Sequence, residues 1–155
     1  MKSRFLLGIV LVLALVTVAM AADDPFVGTW KLNLAKSKFS PGPAPKSATV
    51  KCEVQGNVLN SVTDRVDSEG KATHTESTSI FDGKDHPATG NQTVDSYVSK
   101  RIGANTIERV GKKGGKEVES GRNVVSKDGK TRTLAFKGKN AQGQDVNNIA
   151  VYDKQ

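Results

Sequence analysis

The chain has 155 residues, a formal net charge of +7 and 36% hydrophobic residues, the size of one domain with a modest core. Its Lys and Arg are spread along the whole length and mixed with Asp and Glu, which points to solvated strand faces rather than a nucleic-acid patch. Cys52 is the only cysteine, so an internal disulfide is excluded.

The first residues read as an address. Met1-Lys2-Ser3-Arg4 is a positive region, Phe5 to Val18 is almost unbroken apolar sequence, and Ala19-Met20-Ala21 is a small-x-small cleavage site. The apolar run is too short for a spanning helix and is followed at once by Asp23-Asp24-Pro25. The expectation is a signal peptide over 1–21, an exported (periplasmic or secreted) chain, and one domain over 22–155 with no membrane span after cleavage. Next comes Pro25-Phe26-Val27-Gly28-Thr29-Trp30-Lys31-Leu32-Asn33, which carries the only Trp and opens the first strand. Leu32–Phe39 has room for a helical turn or two. Pro41, Pro43 and Pro45 cannot donate to a ladder and mark a surface loop.

From Ser47 onward, short alternating segments are separated by turn signals every 8 to 12 or so residues, as in all-β sandwiches and barrels. The segments are 48–54, 58–66, 71–81, 93–102, 106–112, 116–126, 130–139 and 145–153, with turns at Gly56, Gly70, Gly103, Gly114-Gly115, Gly129 and Gly143. Asp82-Gly83-Lys84-Asp85-His86-Pro87 reads as a turn held by side-chain-to-backbone bonds. Connections this short leave no room for parallel crossovers. The result is an all-β, up-and-down antiparallel meander of about nine strands, which closes into a barrel and so removes its exposed edges.

An exported meander that opens with Gly28-Thr29-Trp30 resembles the lipocalin-like, or calycin, barrels, and in layout the small exported lipocalin-like proteins of bacteria. The resemblance covers the mature chain in layout, but only Gly28 and Trp30 match a motif, the Gly-x-Trp whose Trp closes one barrel end. The other lipocalin motifs are not recognisable, nor is the helix-turn-helix lid of the fatty-acid-binding branch. The resemblance implies a binding protein that holds a small apolar or amphiphilic molecule in the lumen. The alternative is an envelope interaction or inhibitor protein working through Ser40–Lys46 and Asp82–Gly90.

Residues that carry chemistry are sparse. His74 and His86 are too few for a zinc site, which takes three or four ligands. The 82–87 loop lacks the oxygen run and terminal Glu of a calcium loop. No Ser lies in a Gly-x-Ser-x-Gly elbow. The expectation is therefore no enzyme, no metal and no cofactor. Asn91-Gln92-Thr93 matches a glycosylation sequon, relevant only in a eukaryotic secretory route. Cys52 shares a face with Ala48, Val50 and Val54 and is expected to be buried and inert. If apolar parity marks the lumen, Val94, Val98 and Ile102 bring Lys100 inward, Val118 and Val124 bring Arg122, and Leu134 and Phe136 bring Arg132. The predicted ligand site is Lys100, Arg122 and Arg132 for an anionic head group, with Phe136, Val94, Val98, Val118 and Leu134 around the tail. Sequence leaves ligand identity and oligomeric state open.

Overall fold

The structure is a computed structural model, and it describes residues 24–89, 93–140 and 142–155. The leader expected over 1–21 and most of the 91–93 sequon lie outside the described residues. Ten strands are present: β1 Gly28–Leu32, β2 Ser47–Gln55, β3 Val58–Val66, β4 Ala72–Ile80, β5 Asp85–Pro87, β6 Ser96–Gly103, β7 Thr106–Lys113, β8 Lys116–Val125, β9 Thr131–Lys139 and β10 Asp145–Lys154. A one-turn 3-10 helix, Leu34–Lys36, falls where a turn or two was expected. The additional strand is β5: Asp85–Pro87, expected as a turn, pairs with Ser96–Val98.

All strands belong to one antiparallel sheet in the order β4-β3-β2-β1-β10-β9-β8-β7-β6-β5. Every neighbour except β1–β10 is consecutive in sequence, so the chain winds as a meander and the two termini close the long way round. The sheet curls into a nearly closed barrel whose seam lies between β4 and the β5–β6 pair. There Ser79 and Ile80 come beside Tyr97 and Ser99.

The closed end is built from the first described residues. Asp24 accepts from the Phe26 and Val27 amides and turns the chain inward. Phe26 and Trp30 are both completely buried, and Trp30 Nε1 donates to the Phe26 carbonyl at 2.9 Å. Val50, Cys52, Leu59, Ile107 and Val125 complete this core. Gly28 is required here. Its φ of +128° suits glycine alone, and a Cβ would come within 2.8 Å of Lys154 Cε. Gly114 and Gly115, at φ +56° and +77°, make the β7–β8 turn that needs two left-handed residues.

Candidate functional site

Beyond the Trp30 plug the barrel is hollow. A cavity of about 300 Å³ is lined on one side by hydroxyls of β3 and β4, namely Ser61, Thr63, Ser77 and Ser79. Strands β7 and β9 bring the apolar side chains Ile107, Leu134 and Phe136 to it. The charged groups Arg109, Glu119 and Arg132 also line it, together with Asn123 and Tyr152.

Arg132 is 7% exposed, and its partners are neutral. Nε donates to Asn123 Oδ1 at 3.0 Å, and Nη1 donates to Cys52 Sγ at 2.9 Å. The Phe26 ring lies 6.0 Å from its guanidinium carbon. No carboxylate among the described residues pairs with it. Burial pushes the Tyr152 phenol above its usual 10.0, against the smaller opposing pull of Arg132. Arg109 enters the cavity from β7, where its guanidinium stacks on Tyr97 at 3.9 Å, and no ion pair joins it to a carboxylate among the described residues. Arg101, one strand away, is committed to structure. It sits over Phe26 and Phe81 at 5.3 and 5.1 Å, and its Nη2 faces Asp24 Oδ2 at 2.8 Å. That last contact is an ion pair without good hydrogen-bond alignment, since Nη2 otherwise lacks a partner.

Glu119 stands at the far end of the cavity from Trp30, between two inward-facing glycines of the flanking strands. A Cβ at Gly138 would come within 2.7 Å of Glu119 Cβ, and one at Gly111 would meet the Glu119 side chain and Val94 Cγ1. The space those glycines leave is what lets a carboxylate lie flat against the wall.

Two of the four predicted site residues require correction. Lys100 is exposed on the outer face beside Asp85, Glu108 and Lys112. Arg122 is also exposed outside, 3.4 Å from Glu108. The phases of β6 and β8 are the reverse of the apolar-parity reading. Tyr97, Ser99 and Arg101 turn inward on β6, and Glu119, Gly121, Asn123 and Val125 on β8. Val98 lies outside with Lys100, and Ile102 and Val118 are 50% and 39% exposed. Val94 is buried but precedes β6, so its phase does not carry into the strand. Arg132, Leu134 and Phe136 do line the cavity, and Cys52 is buried. Sequence reasoning missed Arg109, Glu119 and Asn123. The available signal was glycine: Gly111, Gly121 and Gly138 interrupt strands, and all three face inward, where side chains would fill the cavity.

The histidines are peripheral. His74 is exposed, with Nδ1 2.6 Å from Asp64 and Nε2 3.7 Å from Glu76. His86 sits at the seam, 2.8 Å from Asp82, whose carboxyl that contact and the Lys84 amide hold below the usual range.

This architecture is a nearly closed, ten-stranded antiparallel barrel, and solved structures share it. A Schistosoma mansoni fatty acid binding protein in complex with arachidonic acid matches with a TM-score of 0.57 at 14% identity, covering 84% of this chain and 96% of that one. A zebrafish ileal bile acid-binding protein complexed with cholic acid matches with a TM-score of 0.52 at 12% identity, covering 84% and 99%. At these identities the likeness is one of fold. No protein-family model and no curated protein matches the chain.

Proposed function

We propose that the protein is an exported binding protein that holds a small anionic amphiphile in its barrel, and that it is not an enzyme. The observation that carries the reading is Arg132, a buried guanidinium on the cavity wall whose hydrogen-bond partners are a neutral amide and a thiol. A buried cation without an anion is costly, and an acidic head group entering the cavity supplies one. Arg109, held over the Tyr97 ring and without an ion pair among the described residues, is the second contact. The side chains of Ile107, Leu134 and Phe136 take the hydrocarbon, while the Ser61, Thr63, Ser77 and Ser79 side suits a ligand with polar groups along one face. The two solved structures named above are binding proteins by title, one in complex with arachidonic acid and the other with cholic acid. Export rests on the leader-like Met1–Ala21 sequence.

The test is calorimetric titration of ligand-stripped protein with dodecanoate and with dodecanol. Arg109→Ala is expected to weaken the carboxylate by about 1.5–3 kcal/mol, the range for hydrogen bonds to charged groups, and to leave the alcohol nearly unchanged. Arg122→Ala, on the outer face, serves as the control. Equal losses for both ligands, or an Arg122 effect as large as that of Arg109, would refute the cationic cavity.

A further inference from the structure

The seam leaves β4, Ala72–Ile80, with no paired strand on one side; Ser79 and Ile80 abut β6 there, and every residue from Ala72 to Thr78 is exposed on whichever face it points to. Edges of this kind are usually blunted by Pro, Lys, a bulge or shortness. The other edge follows that rule, since β5 has three residues and ends in Pro87. β4 has neither Pro nor Lys, pairs with β3 without a register shift, and alternates Thr and Ser with His74 and Glu76.

Which backbone groups are free follows from the hairpin. The Asp67 amide donates to the Lys71 carbonyl and the Phe81 amide to the Asn57 carbonyl, so the odd-numbered residues of β4 turn their N–H and C=O toward β3. The even-numbered ones, Ala72, His74, Glu76 and Thr78, turn theirs to the open edge. We propose that this edge is a self-association surface, where two copies join through antiparallel β4–β4 pairing about a two-fold axis at Thr75. In that register His74 faces the partner subunit's Glu76 and Glu76 faces the partner subunit's His74, each as a hydrogen-bonded pair. Thr75 faces the partner subunit's Thr75 across a non-hydrogen-bonded site. A one-residue slip breaks the ladder. The next allowed registers set His74 against its own copy or Glu76 against its own copy, and both are repulsive. The sequence of the edge therefore selects one isologous arrangement. The charged groups around His74 are Asp64 on β3 and Glu76 on its own strand, joined in the dimer by the partner subunit's Glu76. The hydrogen bond to Asp64, then its charge, raises the His74 pKa above 6.5 and keeps the imidazolium in place nearer neutrality.

Sedimentation velocity of the protein at pH 6, across a wide concentration range, is expected to show a monomer–dimer equilibrium. His74→Glu converts both cross-pairs to like charges and should weaken the dimer about tenfold or more, while His74→Glu with Glu76→His should restore it. Thr75→Cys should form a disulfide-linked dimer under mild oxidation, whereas Thr73→Cys, which would face the partner subunit's Ser77, should not. Circular dichroism checks the fold of each variant, and the Thr75→Cys arm tests the register without altering any charge. A monomer at every concentration, a dimer indifferent to His74→Glu, or equal cross-linking at 73 and 75 would overturn the proposal. A strand supplied by a different protein would show itself as the first of these.

Discussion

Replacing Arg132 by Met together with Asn123 by Leu should move stability and binding in different directions. The guanidinium is buried with no carboxylate among its described partners, so in the ligand-free protein the charge is carried at a loss. Exchanging buried charged groups for apolar residues of similar size is typically neutral or stabilising by about 1–4 kcal/mol. Against that, Arg132→Met strands Asn123 Oδ1, and an unsatisfied buried acceptor costs about 1–3 kcal/mol. It also gives up the contact over Phe26, which at 6.0 Å contributes about 0.5–1 kcal/mol. The single variant should therefore stay within about 2 kcal/mol of the native protein. Arg132→Met combined with Asn123→Leu removes the stranded acceptor and should be more stable than the native protein by about 1–3 kcal/mol. Urea denaturation of ligand-stripped protein, followed by circular dichroism, measures the first effect. Titration with dodecanoate measures the second, where both variants should lose affinity. If the double variant unfolds more easily than the native protein by over about 1 kcal/mol, Arg132 is a structural cation and the functional reasoning fails.

Two further outcomes follow from the same geometry. Trp30→Phe removes the donor to the buried Phe26 carbonyl and part of the plug, and should cost about 2–4 kcal/mol in urea denaturation; a loss below about 1 kcal/mol would show that the plug is not what closes this end. Asp82, Asp85 and Asp153 all titrate below the usual 3.8, held down first by hydrogen bonds from His86, Lys112 and Asn33 respectively. Each carboxyl takes up a proton more readily in the unfolded chain. Their stabilisation is thus complete above about pH 4 and is lost as pH falls through the lower folded values. A denaturation midpoint that stays flat from pH 5 to pH 2 would contradict this.

Much of the architecture was legible in the residues. Turn glycines set the strand ends, and short connections forced antiparallel pairing. Gly28 and Trp30 marked the strand that closes the barrel, and the apolar alternation of β2 gave its inward face, including Cys52. On β9 the bulk of Leu134 and Phe136 fixed the phase, and Arg132 came with them to the cavity wall.

The other faces were decided only in three dimensions. Parity reading assumes that the buried side of a strand is the apolar one, which holds for a packed core and fails for a hollow lumen lined partly by polar side chains. β8 puts Glu119 and Asn123 inside and leaves Val118 exposed, and β6 turns Ser99 inward and Ile102 out. Val124 and Val125 are adjacent, so hydropathy gives β8 no unique phase, and the shift between Gly111 and Lys112 breaks the register inherited from β7. Arg109 was invisible for a related reason. Its place comes from Tyr97 one strand away, and a pairing across strands is a property of the closed sheet rather than of any one segment.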